Sequence, residues 1–212
     1  MKTERKITEA EKKRTIRFQE KAAFLKADGY EESEHTVDIV KANILAILIM
    51  LPFVAVIAVP YLKKHGIGKI GSLSDYLINL ALFIALVIAE MIVHEGIHGL
   101  TWGLLSPDGF STIEFGLIKE YLTPYCYCGT PLTRGQYLIG SVMPTLVLGF
   151  IQGFVAVCSG SFMLFVLSVI LMIGGGGDFL IDWMLIRYKK KKVKLILMDH
   201  PTELGFVAFE KD

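Results

Sequence analysis

Several features common in secreted or nucleic-acid-binding proteins are missing from this chain. Its 212 residues hold three cysteines, Cys126, Cys128 and Cys158, and an odd, sparse count gives no disulfide framework. The formal net charge is +1, so no basic stripe remains for nucleic acid once the flanks of the apolar segments are assigned. The opening MKTERKITEAEKKR has no adjacent apolar core with a small-residue cleavage site. It does not read as a signal peptide, and the first apolar helix is expected to serve as the targeting signal. No internal repeat is present, which speaks against the architecture of many secondary transporters.

What is present is apolar sequence in long blocks. Hydrophobic residues make up 53% of the chain, against about 45–50% in an average soluble domain, and they are gathered rather than dispersed. Apolar stretches run over residues 43–62, 76–105, 136–158 and 161–186. Each is near or above the ~20 residues that a helix needs to cross a hydrocarbon core of ~30 Å. Pro52, Pro60 and Pro144 are expected to kink or end their helices. The reading is therefore an all-α integral membrane protein with about four transmembrane helices.

Around these spans the chain divides into three parts. Residues 1–41 carry ten Lys or Arg and nine Asp or Glu and form a charged cytoplasmic N-terminal helix. Its apolar positions Ile16, Phe18, Ala22, Phe24 and Leu25 suggest a weakly amphipathic face for a membrane surface, with a solvated helical tail as the equal alternative. Residues 42–187 form the transmembrane domain, and residues 188–212 a basic cytoplasmic tail with short strands. Both ends are basic and four spans return the chain to its starting side, so both termini are expected in the cytoplasm of a bacterial cell. Lys63, Lys64 and Lys69 in the first loop oppose this weakly. Residues 106–135 then form a cytoplasmic loop, rich in Ile, Phe, Tyr and Thr, that reads as a β-hairpin turning near Lys119 and Glu120. VKLILMDHPTELGFVAFEKD reads as strand, turn and strand.

The chemistry is concentrated in the second span, AEMIVHEGIHGLTWG. His94 and His98 are four apart, so on a helix they lie about 40° apart on one face and one turn along. Both imidazoles then reach one metal ion. Glu95, roughly 100° round, can take a proton from water activated there. From this composition His-Glu-x-x-His is expected by chance about 0.007 times. An Asp at a bilayer centre costs approximately 2.5–3.5 kcal/mol on insertion scales, so two His and a Glu in five membrane residues call for a shared partner. A divalent cation is the simplest; the plain alternative is an interhelical polar cluster.

Such a site needs a third protein ligand and an open position. The metzincin continuation is absent, since Thr101 and Leu104 stand where its Gly and third His belong. The candidates are Asp178, Asp182, Glu90, Glu114, Glu120, His35, His65 and His200. Asp178 has the best physical case because it follows Gly174 to Gly177, which permit close helix approach or local unwinding there. Its depth also matches: it precedes Arg187 by nine residues, while His94 and His98 precede Leu105 by eleven and seven. Asp182, one turn on, is the runner-up or an outer partner, with an ion pair to Arg187 as its plain alternative. Glu90 is either an outer partner or a neutral, hydrogen-bonded acid. Cys126 and Cys128 alone make a poor metal site.

At these residues the chain resembles the bacterial "putative zincin peptidase" family of small membrane proteins. The likeness covers about Leu80 to Phe209 and rests on HEGIH at 94–98, GTPLTRGQYLIGSVMP at 129–144, GGGGD at 174–178 and DHPTELGF at 199–206. More distantly it looks like the site-2 class of intramembrane metalloproteases. That resemblance implies zinc on His94, His98 and Asp178, with Glu95 as the base. The site-2 enzymes set their Asp in Asn…Leu-Asp-Gly, where this chain has Gly-Gly-Asp-Phe.

The expected function is zinc-dependent hydrolysis of a peptide bond in a membrane protein or peptide, within or beside the lipid bilayer. The hairpin at about 112–127 would hold the substrate extended by strand addition. The rival is a non-catalytic zinc-binding membrane protein, either a transporter or a pseudoprotease scaffold.

Overall fold

The computed structural model describes residues 8–67, 73–118 and 123–212. Helices dominate. α1 is Glu9–Ala27, α2 Ile39–His65, α3 Leu73–Leu105 and α4 Arg134–Pro144. From α4 the chain runs without a break through a π-helical segment, Thr145–Ile151, into α5, Gln152–Ser159. α6, Phe162–Gly174, and α7, Gly176–Arg187, follow. Among the described residues, three helical stretches are long and apolar enough to cross a membrane: 39–65, 79–105 and 134–159. α6 and α7 make a fourth if they count as one span, bent by 42°.

The bend falls in the glycine run, and packing explains why. A Cβ on Gly176 would lie 2.8 Å from the carbonyl oxygen of Ala46 and 2.9 Å from its Cβ, so α7 crosses α2 backbone against backbone. A Cβ on Gly175 would lie 2.1 Å from Thr145 Oγ1. These contacts bring Asp178 in against α3. Within the expected fourth span, the run of glycines separates two helices.

The bundle has its own core, in which Met50, Ile57 and Tyr61 of α2 pack on Ala156, Phe165 and Met172. Its outer surface is equally apolar: Leu48, Val56, Ile84, Ile88, Ile92 and Leu100 are all about half exposed or more.

Three antiparallel strands in the order β1-β5-β4 cap one end, with β1 Glu31–Thr36, β4 Lys194–Asp199 and β5 Gly205–Lys211. β5 is central and buried on both faces, and its side chains alternate as the pleat requires. Phe206 and Ala208 join Trp102, Tyr137, Ile181 and Leu185 at the end of the bundle. Val207 and Phe209 meet Phe18, Ala22 and Leu25 of α1. The layers are thus bundle, sheet and α1.

This corrects the expectation for the N-terminal segment. Phe18, Ala22 and Leu25 of α1 cover the sheet, while Ile16 and Phe24 face outward, and EESEHT, hidden by its charges, is an edge strand. Residues from both ends of the chain share one sheet. The expected hairpin is present as β2 Ile113–Ile118 and β3 Thr123–Cys128. Its turn at Lys119 and Glu120 lies outside the described residues, as do Lys69 and Lys2. α1 straps this hairpin to the cap through Arg17 and Glu114 (2.5 Å), and the turn before it through Lys21 and Asp108 (2.7 Å).

Candidate metal centre

His94 and His98 project from one face of α3 and are buried, with ring centroids 4.9 Å apart. Asp178 enters from the first turn of α7. Its Oδ2 is 3.3 Å from Nε2 of His94 and 3.3 Å from Nε2 of His98. Ligands held at ~2.0–2.1 Å on a tetrahedral zinc are separated by about 3.3 Å from one another. The donor set therefore fits: two imidazole nitrogens and one carboxylate oxygen, all within 4.8 Å of one another. Asp178 keeps 30% of its side-chain surface accessible, which leaves an approach for a fourth ligand.

The orientation of His98 is set by its surroundings. Its ring stacks on Trp102 at 5.0 Å and 15°, and Trp102 Nε1 donates to the Tyr137 carbonyl at 3.2 Å. His98 Nδ1 lies 2.9 Å from the carbonyl oxygen of Gly140. In an α-helix that oxygen would accept from the N–H four residues on. Residue 144 is proline and has no N–H, so the carbonyl is left for the imidazole. With Nδ1 donating there, Nε2 is free to bind metal.

Glu95 is half-buried, and the backbone N–H of Cys126 faces its carboxylate. This N–H is available because of the hairpin register. Cys128 N–H donates to Asp199 Oδ2 at 2.9 Å and Gly129 N–H to the Thr112 carbonyl at 2.9 Å. The alternation of an antiparallel ladder then turns Cys126, paired with Phe115, outward as well. The edge of β3 turned away from β2 lies beside Glu95, with Cys126 N–H facing the Glu95 carboxylate and Cys128 N–H taken by Asp199. Phe115 meanwhile packs on α3 over Gly99, where a Cβ would come 2.4 Å from its ring.

Asp199 ties the cap to this edge. Besides Cys128 N–H it accepts from Tyr137 Oη at 2.7 Å, and burial holds its carboxyl above the usual range despite both donors. Burial, with Asp199 nearby, also pushes the Cys126 thiol up and the Cys128 thiol up to about 12. Both remain protonated at neutral pH and are poor metal ligands.

The other candidates go elsewhere. Glu90 accepts from Gln152 Nε2 at 3.0 and 3.2 Å. Glu114 pairs with Arg17. His35 stacks on Phe206 and meets Tyr188 edge-on, and His65 binds the Val157 carbonyl at 2.9 Å at the far end of the bundle. His200 Nδ1 accepts from Thr202 and Glu203 N–H at 3.3 and 2.9 Å and so organises its own turn. Asp182 is buried beside Ser141 and makes no ion pair with Arg187, whose guanidinium lies over Trp183. Glu120 lies outside the described residues. The Gly140 carbonyl, Tyr137 and Asp199 were not singled out as functional from the sequence; Pro144 four residues after Gly140 was the available signal for the first.

The family described as "putative zincin peptidase" matches residues 87–193. That stretch is half the chain and contains His94, Glu95, His98 and Asp178. The chain belongs to this family. Membership in a zincin family points to a zinc metallopeptidase, in agreement with the donor set. No curated protein matches, and no solved structure does. The zincin match ends before β4, so Asp199 and the sheet lie beyond it.

Proposed function

We propose that this zincin is an intramembrane or membrane-associated peptidase that hydrolyses a peptide bond of a membrane protein or membrane-bound peptide. One observation carries the reading. Asp178 Oδ2 stands 3.3 Å from both Nε2 atoms of the His-Glu-x-x-His helix, inside a bundle whose outward faces are apolar. Half-exposed Leu, Ile and Val along 39–65 and 79–105 have no favourable partner in water and match a lipid environment.

His94, His98 and Asp178 would hold the zinc, which when bound supplies Lewis acidity for the scissile carbonyl and for water. Glu95 takes the proton from the attacking water and passes it to the leaving amine. The β2–β3 hairpin beside Glu95 holds the substrate extended by strand addition, exposing carbonyls that a helical substrate keeps bonded. α1, the hairpin and the sheet share one end with Arg134 and the run Lys189 to Lys192, and the basic flanks make that end cytoplasmic. Cysteine labelling tests this: positions 108 and 212 react from the cytoplasm and position 65 from outside. Labelling of 108 from outside overturns the orientation.

The function is tested with Glu95→Gln, followed by cleavage of a membrane-protein substrate and by zinc content. A peptidase loses turnover and keeps its metal. Full turnover in Glu95→Gln contradicts the mechanism and favours a non-catalytic zinc-binding role.

A further inference from the structure

His98 has an acceptor for its outer nitrogen, but His94 does not. Its Nδ1 is buried and has no hydrogen-bond partner among the described residues. A metal-ligating histidine almost always donates its second ring N–H to an acceptor that fixes tautomer and ring angle. A second buried polar atom without a partner is Thr145 Oγ1, on a residue with no exposed surface. The two groups border the same small space: a Cβ on residue 175 would sit 2.1 Å from Thr145 Oγ1 and 3.3 Å from His94 Cε1. Gly175 therefore leaves room for the hydroxyl beside the ring.

The backbone at Thr145 adds to this. A helical threonine usually turns its hydroxyl back to the carbonyl four residues before, as Thr101 does to Ile97 at 2.7 Å. Thr145 opens a π-helical turn directly after Pro144 and makes no such bond. π-turns inside α-helices are frequent at functional sites.

We infer that Thr145 is a positioning residue for the metal centre. Its hydroxyl serves the Nδ1 proton of His94 through one buried water that accepts from Nδ1 and donates to Oγ1, and so holds Nε2 toward the ion. The Gly140–Thr145 junction then serves both imidazoles, with a backbone carbonyl for His98 and a side-chain hydroxyl for His94. This inference rests on the metal site proposed above.

The test is the zinc affinity of the full chain in detergent, measured by competition with a chromophoric chelator. Thr145→Val removes the hydroxyl at nearly constant shape and should weaken zinc binding about 10- to 100-fold, as loss of such an outer partner typically does. Thr145→Ser restores the hydroxyl and should bind within a few-fold of the native chain. Thr145→Ala, which adds no bulk, repeats the test if the valine variant does not fold. Native affinity in Thr145→Val or Thr145→Ala overturns the assignment. So does a serine variant as weak as the valine one, because shape rather than the hydroxyl would then be at work. A native chain that binds no zinc overturns the metal site itself, a distinct result.

Discussion

The carbonyl oxygen of Gly140 lies 2.9 Å from His98 Nδ1, and Pro144 is the residue that leaves it free. This pair turns a helix irregularity into part of the site. Pro144→Ala restores an N–H four residues beyond Gly140, which competes for the oxygen. Zinc affinity should fall about tenfold, while thermal stability holds or rises, since an interior helical proline is costly. A chelator titration beside a melting curve separates the two effects, and unchanged affinity in Pro144→Ala would refute the role given to the proline.

Asp178 and Asp182 are one turn apart on α7 with different surroundings, which predicts different losses. Asp178→Ala should release zinc nearly as completely as His94→Ala or His98→Ala. Asp182 is outside the group of metal donors, so Asp182→Ala should weaken binding by no more than ~10–100-fold. Elemental analysis of the purified variants decides. Loss of metal from Asp182→Ala with retention in Asp178→Ala would move the third ligand one helical turn.

His200 shows how a plausible ligand can be structural. Its Nδ1 accepts two backbone N–H groups, which requires a neutral ring, and burial lowers its pKa. A base with a depressed folded pKa contributes stability that is complete above its ordinary value of ~6.5 and lost as pH falls through the folded value. The melting temperature of the native chain should therefore drop below about pH 6.5. His200→Asn, whose side-chain oxygen accepts the same N–H groups without titrating, should lack that component. Identical pH profiles for the two would show that His200 contributes none of it.

What could be read from the sequence was whatever local spacing encodes. HEGIH places three groups by helical period alone, and the four long apolar runs announce the helices. The choice of Asp178 needed one further idea, that residues equally far from the same end of two spans lie at one level. β1 was not legible, because EESEHT gains its strand conformation from pairing with β5, some 170 residues later in the chain. The stripe of Phe18, Ala22 and Leu25 was visible, but its partner depends on the same sheet. The acceptors around the histidines were hidden for another reason. Gly140 acts through its backbone and Thr145 lies beside Gly175 only because the π-helical segment and the bent α6–α7 pair pack together, and residue type signals neither.

His94, His98 and Asp178 are expected to bind one zinc ion with a fourth position open. X-ray absorption at the zinc edge of the purified chain tests it most directly. The expected spectrum shows about one zinc per chain with only light-atom ligands, two of them imidazole nitrogens, at ~2.0–2.2 Å. Zinc–sulfur scattering at ~2.3 Å, or a purified native chain that takes up no zinc, would contradict it.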